Sequence, residues 1–420
     1  MDKGANYEVR DIKLAEQGKK NIEWAEMQMG ALLEVRKRFE KQKPLNGIRI
    51  GSCLHITKET AVLIKTLIAG GADVAACSCN PLSTQDDVAA ALAKEGIGIY
   101  AYKGETKEDY YKYLNKVIDF KPQITIDDGC DLVSEIHKNH QGLIAQIIGG
   151  CEETTTGVIR LRAMERDNAL KYPIVAVNES ATKHLMDNIK GTGQSTIDGI
   201  LRATNVLIAG KNFVVCGYGD CGKGLAKRAQ GMDANVIVTE VNPFRALQAT
   251  MDGFRTIPIK EASKIGNIFV TVTGNKNIID IEHIKLMKDG AILANAGHFD
   301  AEININGLKK IAKQRKIREF MDEFTLENGK RVFILGEARL INLAAGEGHP
   351  SAIMAMSFCN QAFACEFLVQ NKGKLQPKVY VLPPEKDDEI ARLQLKAMGI
   401  EIDTLTKEQK VYLESWQEGT

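Results

Sequence analysis

The order of apolar and polar positions along this chain predicts helices and strands that alternate. The opening stretch "DIKLAEQGKKNIEWAEMQMGALLEVRKRFEKQ" contains Ile12, Leu14, Ile22, Met27 and Leu32, which we interpret as the apolar face of a helix. Helical patterns and short apolar runs then follow one another through "LNGIRIGSCLHIT", "ETAVLIKTLIAGGADVAACSCN", "ALAKEGIGIYAY", "FKPQITIDDG" and "YPIVAVNES". This rhythm predicts a parallel sheet covered by helices.

A second series of the same kind follows. The stretch "STIDGILRATNVLIAG" predicts a helix capped by a serine or threonine, and "NFVVCGYG", "NVIVTEV", "TIPI", "NIFVTVTG", "AILANAG" and "RVFILG" predict further strands. Near the end, "PPEKDDEIARLQLKAMGIEIDTLTKEQKVYLESW" has a charged helical pattern, which predicts a solvated helix or a subunit contact. The sequence therefore predicts an α/β fold of two doubly wound, Rossmann-like domains with a short C-terminal helical tail.

Composition narrows the class of protein. A chain of 420 residues has room for two or three domains, and a net charge of +1 gives no general attraction to nucleic acid or to an acidic membrane. The start "MDKGANYEVR" lacks a secretory apolar segment, and we expect no membrane span. The nine cysteines indicate free thiols in a reducing cytoplasm, and Cys77 and Cys79 lack the partners of a metal site. We therefore expect a cytoplasmic protein that binds no nucleic acid, membrane or metal.

The segment "FVVCGYGDCGKGLAKRA" predicts a nucleotide-binding loop. Gly217 permits a tight turn, Gly219 lets the backbone approach a pyrophosphate, and Gly222 lets helix and strand pack closely. Glu240 ends the next predicted strand, where a carboxylate accepts a hydrogen bond from the ribose 2′-OH of NAD and disfavours the 2′-phosphate of NADP. Arg245 lies close behind and weakens that preference.

Polar side chains also gather where the predicted strands of the first half end. The segments "CLHITKET", "TIDDGCDL", "GGCEETTTG" and "NESATKHLMDN" each follow such a strand, at the position where α/β folds bind ligands. If the last segment is helical, Lys183 and Asp187 share a face, and the lysine could have a pKa lowered for proton abstraction. "NAGHFD" and "GEGHPS" place His298 and His349 after strands of the second half. Together these clusters predict a polar pocket for a polyhydroxylated ligand.

These motifs resemble the S-adenosylhomocysteine hydrolase (adenosylhomocysteinase) family over almost the whole chain. The resemblance rests on "CLHIT", "CNPLSTQDD", "DDGCDL", "EETTTG", "GTGQSTIDGI-RATN", "GYGDCGKG", "NAGHFD" and "GHPS--M--SF-NQ", in the family's order. It implies a substrate-binding domain of residues 1–185 and 348–385, split by an inserted NAD-binding Rossmann domain of residues 186–347. Residues 386–420 would form a C-terminal tail in contact with another subunit. It further implies a homotetramer with one tightly bound NAD per subunit.

The resemblance also implies a reaction, the reversible hydrolysis of S-adenosyl-L-homocysteine to adenosine and L-homocysteine. In that family NAD oxidises the ribose 3′-OH to a ketone, which acidifies the C4′ hydrogen and lets the homocysteine thiolate leave. Water then adds at C5′, and the hydride returns to C3′. By the resemblance, Lys183 and Asp187 handle the 3′-OH proton and Asn188 lies close to the nicotinamide, while Glu153 and Thr154 hold the 2′-OH.

The resemblance implies three further sets of site residues. The C4′ proton, the leaving group and the attacking water are served by His55, Asp128 and His298. The purine is surrounded by Thr57, Glu59, His349 and Met354. The NAD site is lined by Thr154, Thr155, Thr156, Asn188, Gly217, Gly219, Asp220, Cys221, Gly222, Glu240, Arg245, Thr273, Asn275, Gly297, His298 and Asn342.

The sequence departs from the family pattern at several positions. Thr192 stands where many members have a cysteine, Arg245 where many have an asparagine, and Glu347 where an apolar residue is usual. The segment "YLESWQEGT" lacks the extension with lysine and tyrosine that reaches a neighbouring subunit's NAD in longer members, so we expect cofactor retention to rest more on the resident domain.

The sequence is also compatible with other functions. Glu59 can accept a hydrogen bond from the 6-amino group of adenine or from N1–H of hypoxanthine, so S-inosyl-L-homocysteine, with inosine and homocysteine as products, is an alternative substrate. A dehydrogenase that releases NADH and a regulatory protein without catalysis are further alternatives. The presence of all the acid and base residues argues against the last.

Overall fold

The computed structural model describes residues 7–417. The expected absence of a signal segment involves residues 1–6 and the predicted tail includes residues 418–420, and both of these stretches lie outside the described residues. The strands are β1 (Glu8–Val9), β2 (Arg49–Cys53), β3 (Asp73–Cys77), β4 (Gly98–Ala101), β5 (Ile124–Asp127), β6 (Gly149–Glu152), β7 (Ile174–Ala176), β8 (Asn212–Cys216), β9 (Asn235–Thr239), β10 (Arg255–Thr256), β11 (Ile268–Thr271), β12 (Ala291–Asn295), β13 (Ala312–Arg318), β14 (Met321–Leu326), β15 (Arg331–Leu335) and β16 (Val379–Tyr380).

Helices alternate with these strands through most of the chain. They are α1 (Ala15–Gln28), α2 (Gly30–Gln42), α3 (Lys58–Ala69), α4 (Asp86–Lys94), α5 (Lys107–Asp119), α6 (Asp131–Asn139), α7 (Thr155–Arg166), α8 (Ala181–Lys183), α9 (Thr192–Thr204), α10 (Asp220–Gln230), α11 (Pro243–Met251), α12 (Ile259–Ile265), α13 (Ile281–Leu286), α14 (Ile305–Ile311), α15 (Ile341–Ala344), α16 (Ser351–Gln370), α17 (Pro384–Ala397) and α18 (Lys407–Glu414).

The first sheet is parallel throughout, with the strand order β1-β4-β3-β2-β5-β6-β7-β16. From β2 the chain adds β3 and β4 on one side and then crosses to β5, β6 and β7 on the other. The carboxyl ends of β2 and β5 therefore form a topological switch point, where the loops diverge and leave a crevice for a ligand. His55 and Asp128 lie in these two loops.

The second sheet has the order β10-β9-β8-β11-β12-β15-β14-β13. It is parallel from β10 to β15, and β14 and β13 are added antiparallel. Its switch point lies between β8 and β11, whose following loops carry Gly217 and Thr273. The structure thus confirms the predicted α/β fold with two doubly wound sheets.

The central strands of both sheets are buried on both faces. In β8, Phe213 and Val215 pack into one apolar cluster, whereas Val214 and Cys216 pack into another on the opposite face. Neighbouring residues of the first sheet also face opposite sides. In β7, Val175 packs into one apolar cluster and Ile174 into another. This is why the strands read as continuous apolar runs, since helices cover a parallel sheet on both sides.

The chain leaves the first sheet for the second and then returns. The return runs through α16 to β16, which pairs with β7 in the first sheet. Helix α16 is long and apolar enough to cross a membrane by length and composition, but 72% of its apolar window is buried inside the fold. Its side chains Ser357, Asn360 and Gln361 are buried and hydrogen-bonded to other segments, as expected of a core helix.

The passage between the sheets corrects one prediction. His184–Gly191 is wound as a π-helix that continues directly into α9. The predicted serine or threonine cap is wrong, because the chain is already helical when it reaches Thr192 and the N-cap, Gly191, has no side chain to accept a hydrogen bond. Ser195 and Thr196 lie inside the helix. π-Helix is rare in proteins, and where it does occur it is often found at a functional site.

Other differences concern exposed residues and short elements. Met27 is 77% exposed and Leu14 is also exposed, because the buried stripe of α1 runs through Ala15, Gly18, Ile22 and Ala25. The run "TIPI" forms only the two-residue β10 before α12 begins. The predicted C-terminal helix is two helices, α17 and α18. The antiparallel strands β13 and β14 were not predicted, because β13 ("AKQRKIR") is a charged edge strand without apolar alternation.

The packing of α1 on α4 depends on Gly18. A Cβ atom there would lie 1.9 Å from the backbone oxygen of Asp87. We expect Gly18→Ala to lower the free energy of unfolding by about 2–3 kcal/mol, because the helices must separate. Gly142→Ala is the control, since its Cβ would meet nothing within 4 Å, and we expect a change below about 0.5 kcal/mol. Denaturant unfolding measures both; equal effects would contradict this account of the packing.

Candidate active site

A cavity of about 920 Å³ lies at the carboxyl ends of both sheets. It is lined by every site residue predicted from the sequence except Gly222. Its volume is in the upper part of the range for ligand pockets. Gly222 has the other role expected of it, because its Cβ would lie 2.1 Å from the backbone oxygen of Gly217 and would hold α10 away from the loop.

The glycine loop and Glu240 form one end of the cavity. Gly217 has φ of +109°, and α10 begins with Gly219 at its N-cap, so the backbone amides of the first turn are free for an anion. Glu240 follows β9 and accepts hydrogen bonds from the backbone N–H groups of Tyr218 at 2.7 Å, Val241 at 2.7 Å and Asn242 at 2.9 Å. These bonds fix a carboxylate beside the loop, which suits a dinucleotide with a free ribose 2′-OH.

The loop that follows β11 is held by Glu302, a buried residue that the sequence analysis did not identify. Glu302 accepts hydrogen bonds from the N–H and hydroxyl of Thr273 at 3.0 and 2.7 Å and from the N–H of Gly274 at 2.7 Å. The loop with Asn275 is thereby shaped by a residue from a distant segment. Asn342 also lines the cavity, and its buried side-chain oxygen has no hydrogen-bond partner among residues 7–417, which leaves an acceptor for a ligand. These features fit NAD.

Lys183 lies at the centre of the cavity and is almost completely buried. Its Nζ is 2.9 Å from Asn188 Oδ1, 3.3 Å from Asn178 Oδ1, 3.4 Å from Asp187 Oδ1 and 3.7 Å from Glu153 Oε1. Lys183 and Asp187 share a face, as predicted. Asn178 belongs to the segment "NESATKHLMDN", but the sequence analysis assigned no role to it.

The expected lowering of the lysine pKa is wrong. Burial alone would lower the pKa of Lys183, but the carboxylates of Asp187 and Glu153 raise it above its usual value. Burial likewise opposes ionisation of Asp187, yet Lys183 and His349 hold the pKa of this carboxyl well below its usual range. Burial raises the pKa of Glu153 to about 8. The cluster therefore contains a Lys183–Asp187 ion pair beside Glu153, a carboxyl that burial makes easier to protonate.

Helix α16 supports this cluster from the return segment. Ser357 donates a hydrogen bond to Asp187 Oδ2 at 2.9 Å, and the Gln361 amide donates to Glu153 Oε2 at 2.5 Å. The other oxygen, Oε1, lies 3.7 Å from Lys183 Nζ and has no hydrogen-bond partner in the described part of the chain, so it is available for a ligand hydroxyl. The spacing of Ser357 and Gln361, four residues apart on a helix, is the signal that identifies them as polar residues of one buried face.

A second cluster joins the two sheets. Asp128 lies between two imidazoles, with Oδ2 3.4 Å from His55 Nε2 and Oδ1 3.4 Å from His298 Nδ1. One atom from each of the three groups lies within 4.8 Å of the others, so they can act on one region of a substrate. Burial lowers the pKa of His55 to about 4, against the opposing effect of Asp128, so His55 is neutral at pH 7. Gly129, with φ of +110°, leaves room for His298, because its Cβ would lie 2.3 Å from His298 Nε2.

The predicted purine end lies at the start of α3. Thr57 caps this helix and accepts a hydrogen bond from the N–H of Thr60. Glu59 Oε1 accepts a hydrogen bond from the Ser351 hydroxyl at 2.6 Å and lies 3.3 Å from Lys58 Nζ. Thr57, Glu59 and Met354 all line the cavity. The other carboxylate oxygen of Glu59 remains free to accept from the edge of a base.

Two of the departures from the family pattern have identifiable contacts. Glu347 pairs with Lys58 at 3.0 Å and with Arg202 at 3.4 Å. Thr192 Oγ1 lies 3.3 Å from His349 Nε2, and Nδ1 of the same ring lies 3.1 Å from Asp187 Oδ1. The His349 side chain therefore contacts the Lys183 cluster as well as the cavity.

Asp187 should make stability depend on pH. A carboxyl whose pKa is depressed on folding stabilises the fold above its unfolded pKa of about 3.9, and the contribution is lost as the pH falls through its folded pKa. We expect Asp187→Asn to lower the free energy of unfolding by about 3–5 kcal/mol at pH 7, the usual cost of breaking a buried ion pair, and by less at pH 3. Denaturant unfolding at both pH values measures this difference.

The control is Asp198→Asn, which breaks a half-exposed pair with Arg202. We expect it to change the free energy of unfolding by less than about 1 kcal/mol. A loss in Asp187→Asn that is the same at both pH values would contradict the ion pair.

Comparisons with known proteins agree over the whole chain. The model of the family "S-adenosyl-L-homocysteine hydrolase" matches residues 6–143, and that of its NAD-binding domain matches residues 188–348. The adenosylhomocysteinase of Saccharolobus solfataricus is 60% identical over 99% of this chain and 100% of its own length. The adenosylhomocysteinase of Sulfolobus acidocaldarius and the S-inosyl-L-homocysteine hydrolase of Methanocaldococcus jannaschii are each 58% identical with the same coverage. The chain therefore belongs to the S-adenosyl-L-homocysteine hydrolase family.

Proposed function

We propose that this protein catalyses the reversible hydrolysis of S-adenosyl-L-homocysteine to adenosine and L-homocysteine with NAD as a resident cofactor. The observation that carries the proposal is that one cavity brings together the glycine loop, the Lys183 cluster and the Asp128 cluster. We assign residues 1–185 and 348–385 to substrate binding, 186–347 to NAD binding and 386–420 to the tail. The pairing of β16 with β7 supports joining the first two segments.

The cofactor site is built by the residues of the second sheet and the threonines that face them. The first turn of α10 would hold the pyrophosphate and Glu240 the adenosine ribose, with Thr154–Thr156, Thr273, Asn275 and Asn342 along the rest of the dinucleotide. When bound, NAD accepts a hydride from the substrate ribose and returns it after the carbon–sulphur bond has broken.

The Lys183 cluster acts at the 3′ position of the ribose. The Lys183 ammonium donates a hydrogen bond to the 3′ oxygen and stabilises the negative charge that develops there. Asp187, the ionised partner at 3.4 Å, accepts the proton in transit, and Asn188 keeps Nζ in place at 2.9 Å. Glu153 binds the 2′-OH through Oε1, together with Thr154.

The Asp128 cluster acts at C4′ and C5′. Neutral His55 can accept the C4′ proton, and the carboxylate of Asp128 stabilises the imidazolium that forms. His298, on the other side of the same carboxylate, donates a proton to the leaving thiolate and later orients the water that adds at C5′. Because this cluster and the Lys183 cluster line one cavity, both can act on a single bound nucleoside.

Hydrolysis of S-inosyl-L-homocysteine is the second candidate. The observation that favours it is Glu347, which lines the cavity where an apolar residue is usual in the family and pairs with Lys58 at 3.0 Å next to Glu59. A relative named for this reaction is 58% identical. Adenine presents its 6-amino group and hypoxanthine its N1–H as donors, so carboxylate acceptors at this end of the cavity suit either base.

The experiment that tests the function supplies homocysteine together with adenosine or inosine. The purified protein with NAD should form a thioether whose mass identifies the base, and the ratio of kcat/KM values gives the preference. Absence of both thioethers would refute the proposal, and stoichiometric release of NADH would indicate a dehydrogenase. We also propose that the protein is a homotetramer, and light scattering measures the mass of the assembly. Its proposed location is the cytoplasm.

Lys183→Met should remove the hydrogen bond to the 3′ oxygen. We expect NADH formation on addition of nucleoside to fall by about 10²–10⁴-fold, the usual contribution of an acid–base group, while NAD remains bound. Absorbance at the NADH band measures the first effect, and analysis of released nucleotide measures the second. Lys190→Met, which changes an exposed lysine of the same π-helix, should leave both unchanged. A normal rate of NADH formation in Lys183→Met would refute the assignment.

A further inference from the structure

The two nitrogens of His55 have different surroundings. Nε2 faces Asp128 Oδ2 at 3.4 Å, which is longer than an ordinary hydrogen bond. Nδ1 lies 2.7 Å from Ser83 Oγ, well within hydrogen-bond distance. Ser83 belongs to the segment "CNPLSTQDD" after β3 and is buried, yet the reaction described above gives it no part.

The proton of the Ser83 hydroxyl has an acceptor of its own. Ser83 Oγ lies 3.0 Å from the backbone oxygen of Asn80, in a geometry in which the hydroxyl donates. A serine hydroxyl has a single proton but also has lone pairs that accept. When its proton is directed to Asn80, the oxygen presents a lone pair to His55 Nδ1. The imidazole can then donate N–H from Nδ1 to Ser83.

The surrounding loop fixes this arrangement. Ser78 also donates to the Asn80 backbone oxygen, at 2.8 Å, and the N–H of Leu82 donates to the Asn80 side chain at 3.0 Å. The Cys79 thiol lies 3.2 Å from His55 Nδ1, but burial raises its pKa well above the usual value, so it is a neutral and weak hydrogen-bond partner. The hydroxyl of Ser83 is the stronger of the two groups that face Nδ1.

We propose that Ser83 is a positioning residue that keeps the proton of neutral His55 on Nδ1. Nε2, which faces Asp128, is then the nitrogen that takes up and releases the substrate proton. Without the Ser83 hydroxyl, only the weak Cys79 sulphur faces Nδ1, and the proton moves to Nε2, where the carboxylate of Asp128 is a stronger acceptor. His55 in that tautomer cannot accept the C4′ proton at Nε2. This inference rests on the proposed function for its catalytic consequence.

The test compares Ser83→Ala with Ser78→Ala. Both variants remove a buried hydroxyl that donates to the same Asn80 oxygen. Ser78 Oγ lies 3.3 Å from Ser83 Oγ, but of the two residues only Ser83 contacts His55. The first measurement is the ¹⁵N NMR spectrum of protein labelled at histidine, with the His55 signal assigned by its loss in His55→Gln. We expect Nδ1–H in the wild type and in Ser78→Ala, and Nε2–H in Ser83→Ala.

The second measurement separates the two halves of the reaction. We expect Ser83→Ala to lower the exchange of the C4′ hydrogen of the nucleoside with D₂O by about 10–100-fold, while NADH formation, which depends on the Lys183 cluster, stays near the wild-type rate. Ser78→Ala should keep both rates. KM for the nucleoside should be unchanged in either variant.

The outcomes distinguish this inference from the proposed function. Exchange in Ser83→Ala at the wild-type rate, an unchanged Nδ1–H signal, or an equal loss in Ser78→Ala would each overturn the role of Ser83. If the wild type itself forms no NADH and shows no exchange with either nucleoside, the proposed function fails, and the tautomer in the spectrum still decides whether Ser83 holds the proton on Nδ1.

Discussion

The burial of the Lys183 ammonium beside the Asp187 carboxylate is the constraint on which the rest of the site depends. An ammonium group removed from water needs an opposite charge and several hydrogen-bond acceptors. Without them it loses its proton and becomes a neutral amine. Here those partners come from three parts of the chain: the π-helix supplies Asp187 and Asn188, the end of β6 is followed by Glu153, and the segment after β7 supplies Asn178. The cavity can keep a charged lysine only when all these segments are in place.

The same constraint explains the composition of α16. A core helix that packs on the first sheet would ordinarily be apolar throughout, but Ser357 and Gln361 are needed to satisfy oxygen atoms of Asp187 and Glu153. A buried carboxyl group without a hydrogen-bond donor is costly. The hydrogen bonds from these two side chains therefore lower the free-energy cost of burying Asp187 and Glu153. The result is a helix that is apolar enough to resemble a membrane span and yet contains hydrogen-bonding groups on its inner side.

Local patterns in the sequence predicted much of the fold and the polar groups at the strand ends, and the family resemblance supplied most of the individual residues expected to line the cavity. The βα rhythm identified the two sheets, and the glycine loop with Glu240 identified the nucleotide end, because both depend on residues close together in sequence. The missed features depend on contacts between distant segments. Glu302 shapes the loop of Thr273 from almost thirty residues away, and the pKa of Lys183 is set by carboxylates that only the fold brings near. The start of α9 escaped prediction because a π-helix has no simple sequence signal.

The return of the chain to the first sheet has a consequence for biosynthesis. The glycine loop and the segments that carry His55, Asp128 and Lys183 all leave the ribosome before α16 does. Until α16 has been made, Asp187 and Glu153 lack the hydroxyl and the amide that hold them, and β7 lacks its neighbour β16. A nascent or truncated chain can therefore form a recognisable nucleotide-binding unit while the catalytic pocket is still incomplete, so reactivity toward the nucleoside is acquired only after α16 and β16 have been synthesised.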